Sequence, residues 1–74
     1  MISKMVIASV SGEGFWSNDD GWVSLSSATH FSGEEMIDLV TNVRMPITGM
    51  PVAIPAHYLI NDEIINFFDR KHGG

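Results

Sequence analysis

Gly14-Phe15-Trp16-Ser17-Asn18-Asp19-Asp20-Gly21-Trp22-Val23-Ser24-Leu25 places two aromatic segments on either side of Asn-Asp-Asp-Gly. Asn and Asp bond back to their own backbone and Gly supplies positive φ, so these four residues predict a tight antiparallel turn. A hairpin closed by all four sets Ser17 against Trp22 and Trp16 against Val23, which makes the two tryptophans diagonal neighbours. Adjacent strand residues point to opposite faces, so Trp22 and Phe31 are expected in the core and one of Phe15 and Trp16 outside it.

Upstream, Lys4 to Val10 is a β-branched run ended by Ser11-Gly12 and reads as a first strand. Downstream, Ser26 to His30 has room for one helical or 3₁₀ turn. Ser32-Gly33-Glu34-Glu35 is then a capping box: the Ser32 hydroxyl accepts from the Glu35 amide and the Glu35 carboxylate reaches back to the Ser32 amide. Phe31 and Met36 occupy the two positions of a hydrophobic staple. Met36, Ile37, Leu39, Val40 and Val43 form one apolar stripe, and Pro46 disfavours helical geometry at Met45, so the helix is expected over about 33–44. Met50 to Pro55 is short, apolar and bounded by prolines, as an edge strand or extended segment is. A last helix over about 62–71 follows, with Asp62 and Glu63 in its first turn, Ile64, Ile65, Phe67 and Phe68 as its apolar face, and Arg70-Lys71-His72 then Gly73-Gly74 at its end. Asn61 is the preferred N-cap, the alternative being a longer helix with Pro55 at its first position. Residues 1–74 thus read as one α+β domain in β-β-β-α-β-α order: a small antiparallel sheet packs its apolar face on the central helix, and the C-terminal helix completes the core.

A chain of 74 residues without cysteine has no disulfide or thiolate-metal staple, and 45% hydrophobic content is enough for one small core. Length excludes a large enzyme. Nine acidic residues against four basic ones give a net charge of −5, which argues against direct binding of nucleic acid, where phosphate neutralisation needs clustered Lys and Arg. The apolar run after Met1 is too short for a secretory signal, and no stretch approaches the roughly 20 apolar residues of a membrane span, so the expected location is the cytoplasm, away from membranes.

No cofactor, metal or catalytic residue is expected. His30, His57 and His72 lack metal-ligand spacing and read as loop or helix-end residues, His72 complementing the carbonyl end of its helix. The serines stand in no nucleophile elbow. Ser11-Gly12-Glu13-Gly14 resembles a fragment of a phosphate-binding loop, but it lacks the lysine and the helix behind it, and a connecting turn explains it better.

Charge and aromatic residues offer more. Asp19 and Asp20 fall at the hairpin tip, and Glu34, Glu35 and Asp38 on the first turns of the central helix. If folding brings both groups to one side, the domain presents a negative field suited to a basic protein surface that otherwise takes nucleic acid. The plainer reading is that these acids complement helix N-termini and keep the domain soluble. Trp16 joins Glu34, Glu35, Asp38, Asp19 and Asp20 as a candidate contact, because aromatic residues are favoured at interface cores.

Gly14 to Trp22 followed by Ala28-Thr29-His30-Phe31-Ser32-Gly33-Glu34-Glu35 resembles a pattern in short accessory proteins of phages, prophages and plasmids, where an aromatic hairpin precedes an Ala-x-x-Phe-Ser/Thr-x-x-Glu helix start. The similarity covers about residues 12–40; residues 45–74 depart from it, since such chains often finish with a short strand. Some small acidic proteins of that kind are anti-CRISPR or other anti-defence inhibitors without an active site. The resemblance therefore implies stoichiometric binding and inhibition of a host protein, a CRISPR-Cas component among the candidates. The alternative is a homodimeric assembly module built on the aromatic and Met-rich surface, with no inhibitory role, and a small hydrolase or ligand-sequestering protein is the third class.

Overall fold

A computed structural model describes residues 4–42 and 44–72. Val43 of the expected stripe, Gly73-Gly74 of the expected helix end and the first three residues lie outside the described residues. Four strands, β1 (Met5–Ser9), β2 (Phe15–Ser17), β3 (Gly21–Val23) and β4 (Pro51–Pro55), form one antiparallel sheet in the order β3-β2-β1-β4. Helix α1 (Gly33–Thr41) lies between β3 and β4 in sequence, and α2 (Asp62–Phe68) follows β4. The α+β class and the β-β-β-α-β-α order agree with the sequence reading, and 3₁₀ turns at Leu25–Ser27 and Ala56–Tyr58 complete it.

The sheet has two apolar faces where one was expected. Val6, Ile7 and Ala8 are all fully buried, which requires cover on both sides of the central strand. Val6, Ala8, Phe15 and Leu59 pack with Ile65 and Phe68 of α2 on one face. Ile7, Phe31, Met36 and Leu39 pack with Trp16 and Trp22 on the other, beneath α1. Neither Phe15 nor Trp16 is therefore left outside: Phe15 is wholly buried, and Trp16 and Trp22 are both half-buried.

The hairpin forms, in a different register. Ser17 pairs with Gly21 and Trp16 with Trp22, so the tip is Asn18-Asp19-Asp20 alone. Gly21, at φ 83°, already belongs to β3, and the Ser17 hydroxyl accepts from the amides of Asp19 (3.3 Å) and Asp20 (3.2 Å). A three-residue turn closed by a left-handed Gly accounts for this register. It sets the indoles directly opposite, edge to face at 5.2 Å and 71°.

β4 is a protected edge. The Val10 amide donates to the Met50 carbonyl (3.1 Å) and the Ala56 amide to the Lys4 carbonyl (2.8 Å). Antiparallel alternation then turns the backbone of Pro51, Ala53 and Pro55 outward. Two of those three residues have no N–H, so the edge offers another strand little to pair with.

The capping box forms as expected, with Glu35 N to Ser32 Oγ at 3.2 Å and Ser32 N to Glu35 Oε1 at 2.9 Å, and Phe31 and Met36 meet in the same cluster. Ser32→Ala is expected to lower stability by about 1 kcal/mol. Identical thermal midpoints for the two proteins would show that the cap is idle. α1 ends at Thr41 rather than near residue 44, because the chain turns at Asn42 and the Arg44 amide bonds back to the Leu39 carbonyl (2.8 Å), a six-to-one closure. Of the stripe, Met36 and Leu39 are buried, whereas Ile37 (67% exposed) and Val40 (63%) are not. α2 starts at the preferred cap, Asn61 Oδ1 accepting from the Glu63 amide (2.8 Å), and stops at Phe68, short of the expected 71. The stop has a cause: the buried Asp69 carboxylate accepts from the His72 amide (3.0 Å) and meets His72 Nδ1 (2.8 Å), which curls the chain into a turn. His72 thus serves Asp69, not the helix carbonyls.

Candidate functional site

The sheet's connections decide which acids meet. β2 runs back along β1, so the hairpin tip returns to the end of the sheet where Met5 bridges Phe31, and α1 starts two residues later. Asn18 is tied there by its amide to Thr29 Oγ1 (3.0 Å). As a result Asn18 of the tip and the first turns of α1 border an open depression of about 310 Å³ lined by Asn18, Phe31, Glu34, Glu35, Asp38, Leu39 and Arg44. Three of the six expected contact residues, Glu34, Glu35 and Asp38, line it together. Asp19 and Asp20 are exposed and directly follow Asn18 at the rim.

At about 100° per residue, α1 buries the Met36–Leu39 line and sets Glu35, Asp38 and Glu34 on the flank toward the hairpin. These acids are unequal. Glu35 is committed to the cap: the Ser32 backbone amide first, the Ser32 hydroxyl next and the Lys4 charge last hold its carboxyl below the ordinary carboxylate range, against a small opposing effect of desolvation. Asp38 accepts from Asn42 Nδ2 (2.6 Å) and faces Arg44 Nη1 (3.5 Å), both at the surface. Glu34 makes no hydrogen bond or ion pair with its side chain among the described residues. The charge open to a partner thus rests mainly on Glu34, Asp19 and Asp20.

Because the folded Glu35 carboxyl titrates below its unfolded value, its contribution is complete above the unfolded range and disappears as pH falls through the depressed folded range. Wild type should accordingly melt above Glu35→Gln near neutrality and lose that lead in acid. A gap between their midpoints that is constant with pH would refute the carboxylate's role.

Trp16 does not join this depression. Its ring stands against Trp22 and the Ile7–Phe31–Met36–Leu39 cluster, so most of its surface is already used. Sequence reasoning missed Asn18 and Arg44, whose guanidinium returns to Asp38. Asn18 left one signal, its place beside Asp19; the return of Arg44 depends on how the helix ends.

No family model, no curated protein and no solved structure matches this chain. Among the described residues no three of His, Asp and Glu converge as a metal site, and no helix is long and apolar enough to cross a membrane. Every buried side-chain polar atom described has a hydrogen-bond partner.

Proposed function

We propose that the protein is a stoichiometric binder whose acidic side, made by the hairpin tip and the first turns of α1, covers a basic surface of a host protein. A surface that otherwise takes nucleic acid is the natural counterpart, and inhibition of an antiviral defence complex, in the manner of an anti-CRISPR protein, is the outcome the resemblance implies. The supporting observation is the shared depression: Asn18 from the tip and Glu34, Glu35 and Asp38 from α1 line one concavity, so two acidic groups far apart in sequence lie on one side. Phe31 and Leu39 at its floor give that side an apolar element beside its charge.

The test pairs capture from a host lysate with competition. A captured protein should release this chain when its own nucleic acid is added. With that protein in hand, replacing Glu34, Asp19 and Asp20 by Gln, Asn and Asn should slow association about tenfold at low salt and flatten its salt dependence, leaving the cap intact. Unchanged rates at low ionic strength would reduce these acids to a solubilising role.

A further inference from the structure

The flank of α1 turned away from the hairpin is of another kind. Met36, Ile37, Val40 and Thr41 line an open depression of about 270 Å³ without a charged group. Since the acidic flank faces the β2–β3 hairpin, this one faces β4. Ala53 of β4 shares the sheet face of its partner Ile7, the α1 side, and yet is exposed, so α1 leaves β4 uncovered. From Met45 to Ala56 the sequence carries no Asp, Glu, Lys, Arg or His. The exposed side of α1 and the inner side of β4 are thus both uncharged and both lie on the same face of the sheet.

We propose that two copies of this chain pack against each other through this face. Four observations select a second copy. Each copy carries a net charge of −5, so self-association needs a contact that brings no acids together, and here they lie on the opposite flank of α1. An uncharged apolar face is also self-complementary, as a two-fold contact requires. The prolines of β4 disfavour pairing through its edge and leave face packing as the route. Finally, the core is thin: eight hydrophobic side chains are buried among the described residues while nine large ones stay exposed, and the chain holds no cysteine. Association is the remaining way for so small a domain to bury more. The hairpin aromatics offer less to such a contact, because Phe15 and Phe31 are buried and the indoles face each other.

A second exposed apolar group, Tyr58, Ile60, Ile64 and Phe67, lies around α2 and makes a weaker candidate. Asp62 and Glu63 interrupt it, and the Arg70 guanidinium stands 5.1 Å over the Phe67 ring.

Sedimentation equilibrium over a hundredfold concentration range tests the proposal. The wild-type mass should rise from 8.1 kDa toward twice that value. Val40→Lys, at a position 63% exposed, should keep its circular dichroism spectrum and remain at 8.1 kDa, while Ile64→Lys should behave as wild type. The cysteine-free chain allows a second readout: Val40→Cys should oxidise to a covalent dimer at least tenfold faster than Ser26→Cys, which is exposed in the Leu25–Ser27 turn. A wild type constant at 8.1 kDa, or a dimer lost in Ile64→Lys and kept in Val40→Lys, would overturn the proposal. Neither result touches the acidic side, whose salt-dependent association is measured on its own.

Discussion

Phe15→Ala is expected to remove most of the domain's stability, leaving a substantial unfolded fraction at room temperature. The ring is fully buried at the centre of the face that carries Val6, Ala8 and Leu59, and the Phe68 ring of α2 meets it edge to face at 6.1 Å and 63°. Removing a buried Phe costs about 3–5 kcal/mol, because the transfer energy is lost and the cavity closes only in part. A domain this size has about 5 kcal/mol of total stability to lose. α2 is only seven residues long and is held by that contact, so it should detach first. Urea titration followed by far-ultraviolet circular dichroism measures the effect, with Phe67→Ala as the comparison. Phe67 is half exposed and should cost about 1 kcal/mol or less. If the two substitutions shift the midpoint equally, α2 does not cover the sheet through Phe15.

The features that could be read from the sequence are those set by a few consecutive residues. Ser32 and Glu35 specify the start of α1 by hydrogen bonds that span three positions, and Asn61 does the same for α2, so both starts fell where the sequence put them. Ends were less legible because distant or competing contacts decide them. α2 stops where the Asp69 carboxylate captures His72, and nothing in Asp-Arg-Lys-His forces that over another helical turn. The hairpin could be foreseen but its register could not, since Gly21 serves equally as a turn residue and as the first, left-handed residue of β3. A one-residue difference there changed how the two indoles meet.

The same division runs through the candidate site. Glu34, Glu35 and Asp38 share a flank because helical spacing says so, but their meeting with Asn18 follows from β2 running back along β1. The stripe on α1 misled for a related reason. Val40 lies close to Met36 around the helix and Ile37 beyond it, yet α1 sits over the middle of the sheet and leaves β4 bare, so only Met36 and Leu39 find cover. Periodicity gives the width of an apolar face and is silent on how much of it the rest of the chain reaches.

Gly14→Ala is expected to cost about 4 kcal/mol, the conformational and the steric parts being of similar size. Gly14 has φ 119°, a region almost closed to residues with a side chain, so an alanine there is strained even with free space around it. Space is missing too. An added Cβ would lie 2.5 Å from the Val23 carbonyl oxygen, 3.1 Å from His72 Nδ1 and 3.3 Å from Asp69 Oδ1. The first of these is backbone of β3 and cannot swing aside. Moving Gly14 instead would break its amide bond to the Phe68 carbonyl (2.9 Å) and its carbonyl bond from the Ser9 amide (2.9 Å), the links that fasten the end of α2 to β1 and β2. Gly21→Ala separates the two parts of the cost. Gly21 also has positive φ, 83°, nearer the left-handed helical region and less costly for an alanine, and its nearest neighbour would be a Trp16 ring atom at 3.9 Å, so that substitution carries a conformational cost alone, about 1 kcal/mol. Chemical denaturation of the two variants beside wild type decides the matter: a Gly14→Ala protein no less stable than Gly21→Ala would mean that β3 and the C-terminal turn do not close on Gly14, and the junction that holds α2 in place would have to be drawn elsewhere.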